Sequence, residues 1–222
     1  HAPWLSIVGI GEDGLAGLPR NAIEAIEKAE GVFGGTRHLD LASAAIKGEP
    51  RPWPVPFDVA MTDVLALRGR KVCVLASGDP FFHGVGVTLL RHIDAGEVIT
   101  YPAPSAISLA ASRLGWALQD ATRISLHGRS IDLIRPHLHA GAKIIALTSD
   151  ASAPALIAAL LKEAGFGRSA FHLLEALGGA RENLRATTAQ DFAFADIDPL
   201  NLVAIEVVAD EAARILPFAS GL

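Results

Sequence analysis

Short apolar runs of strand length, each closed by glycine or proline, alternate along this chain with helix-patterned segments. In the first half, residues 4–10, 31–35, 71–76 and 97–101 read as strands. Between the first two, Ala22, Ile23, Ile26 and Ala29 have the spacing of one helix face, and Pro19 is placed to open that helix. Residues 36–45 and 106–114 predict further helices, as does a segment ending near Ile93. After Gly115 the pattern restarts, with strands at 123–126, 143–148, 172–177 and 202–208 and helices at 131–139 and 153–164. Strands alternating with helices predict α/β architecture. The restart predicts two lobes, residues 1–117 and 118–222. Pro50, Pro52, Pro54 and Pro56 make residues 48–58 an extended connector.

Composition narrows the function classes. Half of the residues are hydrophobic and 19% are charged, which supplies a sizeable core and excludes a disordered chain. The formal net charge is −5 and there is no basic block, so nucleic acid is not an expected partner. No apolar run reaches the ~20 residues that span a bilayer, and no secretory signal pattern opens the chain. The lone cysteine, Cys73, lies in an apolar run and reads as a buried thiol of a reducing, cytoplasmic protein. The chain opens on His1-Ala2-Pro3 and closes on small residues after Phe218, which reads as a piece of a longer protein.

Two glycine loops compete for a ligand. Gly9-Ile10-Gly11-Glu12-Asp13-Gly14 matches the dinucleotide pattern G-x-G-x-x-G. Glu12 and Asp13, however, put carboxylates where a pyrophosphate would sit. The second strand ends in Gly34-Gly35-Thr36-Arg37, without the acidic residue that would bind a ribose. A nicotinamide cofactor is therefore disfavoured, and a structural turn and a substrate-facing loop stay open. The second loop, Ser77-Gly78-Asp79-Pro80-Phe81-Phe82-His83-Gly84, follows a buried strand, at the edge where open α/β sheets bind ligands. Pro80 pushes the Asp79 backbone out of the helical region. The Asp79 carboxylate then either binds a ligand or caps the helix that follows.

Together, Val8 to Leu15, Gly34-Gly35-Thr36-Arg37-His38-Leu39, the Gly78-Asp79-Pro80 loop and Pro104-Ser105-Ala106-Ile107 resemble the tetrapyrrole (corrin and porphyrin) methylase family. Arg113-Leu114-Gly115-Trp116, Ser125-Leu126-His127-Gly128-Arg129 and Leu174 to Glu182 are similar to its members that methylate carbons 5 and 15 of a precorrin and decarboxylate it. The resemblance runs from about Trp4 to Pro217, and one departure is Ser77, where the family often has Gly. It implies two lobes, each a mostly parallel sheet flanked by helices, with the active site in the cleft between them. The implied activity is methylation of carbon 5 of a precorrin-6/7-type substrate in cobalamin biosynthesis. The methyl donor would be S-adenosyl-L-methionine and the product S-adenosyl-L-homocysteine. A homodimer and a covalently linked second methyltransferase domain are implied partners.

Carried over by position, the cofactor contacts are Gly78, Asp79, Phe82, Ser105, Ala106, Leu147, Ala176 and Leu177. A polycarboxylate ring needs local cations and a loop to lie on. The candidates are Gly11, Arg37, His38, His127, Arg129 and Arg181, with His83 beside them. Methyl transfer needs no nucleophile–base pair, because the sulfonium is already activated. Asp13, Glu12 and His83 are candidates for removing a ring proton. No metal site is expected: His137 and His139 are two apart on a predicted helix and face different sides. The rival readings are a stand-alone cobalt-precorrin enzyme, an rRNA or diphthine methylase of the same fold, and a non-catalytic ligand-binding module.

Overall fold

A computed structural model describes residues 2–55, 58 and 60–217. His1, Pro56 and residues 218–222, which enter the connector and fragment expectations, lie outside the described residues. The chain forms two compact units that divide between Ser105 and Ala106.

The first unit contains β1 (Leu5–Ile10), α1 (Arg20–Lys28), β2 (Gly31–Gly34), α2 (Thr36–Leu41), β3 (Glu49–Pro52), α3 (Met61–Ala66), β4 (Val72–Ser77), α4 (Val85–Leu89) and β5 (Val98–Tyr101). Its sheet has the order β3-β2-β4-β1-β5, and every pairing is parallel. The central strands are apolar on both faces, as a sheet covered on both sides requires. Leu5, Ile7, Val72 and Val74 pack with Val64 of α3 and Leu89 of α4. Val8, Ile10, Cys73 and Leu75 point the other way, onto Ala22 and Ile26 of α1 and Leu39 of α2. Burying each of the larger side chains contributes roughly 1.5–3 kcal/mol. Burial also pushes the Cys73 thiol far above its ordinary pKa, so it stays protonated and acts as a small apolar group.

The proline-rich connector contains a strand after all. In β3, Pro50 and Pro52 stand opposite Val32 and Gly34. The sheet bonds flanking them come from residues outside the prolines: Glu49 N donates to Glu30 O and Trp53 N to Gly34 O. At an edge, the missing proline N–H groups cost no ladder bond.

The second unit contains α5 (Ala106–Leu114), β6 (Ala121–Ser125), β7 (Lys143–Leu147), α6 (Ala153–Glu163), β8 (Ala170–Glu175), β9 (Asn183–Thr188) and β10 (Asn201–Glu206). Packing of α5 against β7 carries that helix into this unit, although the sequence seam lies after it. The sheet order is β6-β7-β10-β8-β9. The expected mostly parallel sheet is corrected here to a mixed one. Only β6 and β7 pair in parallel, while β10 is antiparallel to both of its neighbours and β9 to β8. The helix expected at 131–139 is a 3-10 helix over Ile131–His137, with Pro136 inside it. In α6, Pro154 sits in the first turn, where its missing N–H costs nothing. Its Ile157 and Leu161 bury against Phe166, Phe171 and Val203. Among the described residues no helix is long and apolar enough to cross a membrane.

Candidate functional site

Chain direction sets the site in the first unit. From β1 the chain crosses through α1 to β2, and from β4 through α4 to β5. These helices lie on opposite faces of the sheet. Because β1 and β4 are neighbours, their outgoing loops diverge over the carboxyl ends of the strands, which is the switch point where such sheets bind ligands.

Three loops are tied together at that edge. Gly78 N donates to Ile10 O at 3.1 Å, and Ala103 N donates to Gly78 O at 3.2 Å. Gly78 has φ +59°, and a Cβ on it would lie 3.0 Å from Pro104 O and 3.1 Å from Ser105 Cα. A Cβ on Gly9 would lie only 1.9 Å from Gly78 O. The role of Gly9 is therefore structural, since its bare backbone lets the Gly-Asp-Pro loop lie directly on the end of β1.

Within that loop, Asp79 Oδ1 accepts from Phe81 N at 2.9 Å, an Asx turn. It does not cap α4, whose N-cap is Gly84 without a side-chain bond. The other Asp79 oxygen is uncommitted among the described residues. The Phe82 and His83 rings meet edge to face at 4.9 Å. His83 holds a left-handed backbone at φ +53°, which costs an L-residue about 1–2 kcal/mol. Its exposed ring makes no ion pair among the described residues.

The β1 and β2 loops bring opposite charges to the same edge. Glu12 is paired with Arg37, and the Glu12 side chain is only 13% exposed. Arg37 Nη2 lies 3.2 Å from His38 Nε2. Desolvation, reinforced by the Arg37 charge, pulls the His38 pKa down to about 4. His38 is thus neutral at pH 7. Asp13 turns back on its own loop: a Cβ on Gly17 would lie 2.0 Å from Asp13 Oδ2, and one on Gly11 would lie 2.8 Å from Oδ1.

In the second unit, β6, β7 and β8 end on one edge because β10 runs antiparallel between β7 and β8. Leu147 ends β7 there, with His127 and Arg129 after β6 and Ala176 and Leu177 after β8. Sequence reasoning did not single out Thr148, Ser149 and Asn201, which knit these ends together. Gly128 N donates to Ser149 Oγ at 2.8 Å, and Ser149 Oγ donates to Leu126 O at 3.2 Å. Thr148 Oγ1 donates to Asn201 O at 2.7 Å, and His127 Nδ1 lies 3.3 Å from Thr148 O. The signal available for them was a polar Thr-Ser-Asp run directly after the most apolar strand of this half.

Ala176 is 2% exposed with φ +44°, rare for a residue with a Cβ, and its N–H donates to Leu200 O at 2.9 Å. Leu177 is buried beside it in sequence. Glu175, buried just before, takes Arg185 Nη2 at 2.8 Å and Asp198 N at 2.9 Å on Oε1. Its Oε2 takes Asn183 Nδ2 at 3.0 Å and Arg185 Nε at 3.1 Å. Arg181 is paired with Asp198, while exposed Arg129 makes no ion pair among the described residues. Among those residues no group of His, Cys, Asp and Glu is arranged to hold a metal ion.

Residues 5–193 match the family model of the Tetrapyrrole (Corrin/Porphyrin) Methylases. The chain belongs to the tetrapyrrole methylase family. The chain is 56% identical over 220 residues to a precorrin-6Y C(5,15)-methyltransferase [decarboxylating] of Sinorhizobium sp, covering 99% of this chain and 53% of that protein. It is 32% identical over 147 residues to a cobalt-precorrin-7 C(5)-methyltransferase of Salmonella typhimurium, covering 66% of this chain and 71% of that one. The chain spans about half the length of the first of these curated relatives. The methylase fold also matches the crystal structure of a Thermus thermophilus uroporphyrin-III C-methyltransferase complexed with S-adenosyl homocysteine. That match has a TM-score of 0.69 at 21% identity and covers 91% of this chain and 96% of that one.

Proposed function

We propose that this methylase transfers a methyl group from S-adenosyl-L-methionine to carbon 5 of a precorrin-type ring in cobalamin biosynthesis, releasing S-adenosyl-L-homocysteine. One observation carries the choice of carbon. The chain aligns both with a relative named for carbons 5 and 15 with decarboxylation and with one named for carbon 5 alone. Carbon 5 is what the two names share, so it is the reaction assigned to the segment shared with both. The cobalt-free ring is preferred because the relative with the higher identity is named without cobalt.

The residues present fit the donor. Beside the buried Gly78 turn, one Asp79 oxygen is free for a polar group, and Phe82 follows. Backbone N–H groups of Ser105 and Ala106, where α5 begins, suit a carboxylate. Leu147, Ala176 and Leu177 are apolar, as contacts to a flat adenine should be. When bound, the donor supplies a methyl already activated on sulfur. What the protein must do is hold the ring carbon about 3–3.5 Å from that methyl and in line with the bond that breaks.

Among the proton acceptors considered, Glu12 is paired with Arg37, and the Asp13 carboxylate lies back against Gly11 and Gly17 of its own loop. We assign the proton lost from the ring to a ring nitrogen of His83, which is exposed on the Gly-Asp-Pro loop. Arg129 and Arg37 are the favoured partners for ring carboxylates, Arg37 by exchanging Glu12 for substrate. The reading includes a homodimer acting in the cytoplasm. It also includes a second methyltransferase domain in the intact protein, supported by the length of the relatives that this chain does not cover.

The test is incubation with methyl-labelled S-adenosyl-L-methionine and a precorrin-6 or precorrin-7 species, with the cobalt-bearing ring in parallel. A gain of one methyl located at carbon 5 by NMR is expected. Transfer to another carbon, or no transfer by a chain that binds S-adenosyl-L-homocysteine, overturns the reading. A chain whose melting temperature does not move with that ligand is instead a non-catalytic module.

A further inference from the structure

The segment from Ala176 to Glu182 carries a second clamp that the proposed chemistry leaves unused. Glu182 Oε1 accepts from Arg113 Nε at 2.6 Å, and Oε2 accepts from Arg113 Nη2 at 3.1 Å and from Gly178 N at 2.6 Å. Arg113 stands in the last turn of α5. Gly178 has φ +85°, and a Cβ on it would lie 3.5 Å from Leu109 Cδ1, also on α5. One carboxylate therefore fastens the turn after β8 to the helix whose first residue is Ala106. The same short segment is gripped at its other end by the Glu175–Arg185 fork. Arg113 and Glu182 both fall in the stretches that set the narrower resemblance apart.

We infer that Glu182 is a positioning residue for the methyl donor. By holding Gly178 N and the Arg113 guanidinium at once, it fixes the Ala176–Leu177 backbone on α5 in the form that the adenosine portion requires. This rests on the function proposed above. Arg113, with help from the Gly178 N–H, holds the Glu182 carboxyl below its ordinary range, so the clamp is anionic at neutral pH. Glutamine at this position keeps an acceptor for Gly178 N but cannot take both guanidinium N–H groups. Lysine at 113 offers a point charge instead of a fork.

The test uses Glu182→Ala, Glu182→Gln and Arg113→Lys in this chain. Calorimetry gives the S-adenosyl-L-homocysteine Kd, methyl-transfer kinetics give a KM for each substrate, and melting is followed without ligand. Glu182→Ala is expected to raise the Kd and the donor KM about tenfold, as losing hydrogen bonds to a charged group implies. The corrin KM and kcat should change little. Glu182→Gln and Arg113→Lys should fall between, and they carry the test should Glu182→Ala fail to fold. Wild-type Kd and donor KM in the folded variants would refute the inference, as would equal losses for both substrates. A wild-type chain that does not bind S-adenosyl-L-homocysteine at all removes the functional reading, and this inference with it.

Discussion

Gly9 and Gly78 are in contact through bare backbone: the space a Cβ on Gly9 would need is taken, at 1.9 Å, by the Gly78 carbonyl oxygen. Two loops distant in sequence are thus stacked at the end of β1 and β4, and that stacking places Asp79, Phe82 and His83. Gly9→Ala must push the Gly78 loop away. It is expected to destabilise the fold by about 2–3 kcal/mol, as overpacking against backbone does, and to weaken S-adenosyl-L-homocysteine binding beyond that loss. Thermal melts with and without the ligand check both effects. A variant that melts and binds like wild type would show that the loop yields freely.

Asp79 does two things at one carboxylate: Oδ1 holds the Phe81 N–H and Oδ2 stays available. Asp79→Asn preserves an acceptor for the turn but loses the charge. Asp79→Ala loses both. Donor affinity should fall tenfold or more in each variant, while only Asp79→Ala should also lower the melting temperature, by the roughly 1 kcal/mol of a lost turn bond. Normal binding by Asp79→Ala would mean that the loop faces something other than the donor.

His38 makes a prediction about acid. Its folded pKa of about 4 lies below the 6.5 of an unconstrained histidine, so the unfolded chain binds the proton more readily. The stability from keeping it neutral is complete above pH 6.5 and is lost as the pH falls toward 4. Allowing for its partial exposure, the loss is on the order of 2 kcal/mol. His38→Gln should flatten urea-unfolding stability between these pH values. An equally steep acid slope in the variant would assign that slope to carboxylates such as Glu182, whose depressed pKa also removes stability as pH falls.

Glu175 is 2% exposed and depends on Arg185 for its charge balance. Arg185→Met leaves a buried carboxylate unpaired and should cost about 3–5 kcal/mol. Replacing both residues by apolar ones of similar volume should restore most of that loss in urea titrations. No recovery in the double variant would show that the remaining bonds to Asn183 and Asp198, not the ion pair, hold β8 to its neighbours.

The first sheet was legible because β1, β2 and β4 are apolar on both faces and end in glycine or next to one. The Gly78 loop was readable as the ligand-binding edge, whereas its contact with Gly9 depends on β1 and β4 being neighbours, which the sequence does not display. The edge strands were harder to read. β3 is half proline, and β9 (Asn-Leu-Arg-Ala-Thr-Thr) has the polar character of an exposed strand, so neither carries an apolar period. Strand direction in the second unit was illegible too, since a buried run such as Leu202 to Ile205 has the same pattern in a parallel or an antiparallel neighbourhood. Among the site residues, the cations were read by type alone. Burial neutralises His38, and acidic partners occupy Arg37 and Arg181, relations that no spacing in the sequence displays.

β10 follows the other four strands of its sheet in sequence, yet it lies in the middle of that sheet, between β7 and β8. On the ribosome, β6–β7 and β8–β9 must emerge as two separate ribbons, each with an unmatched inner edge, until Asn201–Glu206 arrives to zip them together. The first unit needs nothing from that far along the chain to complete its own sheet. The expected maturation is vectorial: the amino-terminal half can settle early, while the other half waits with open strand edges that are prone to aggregate.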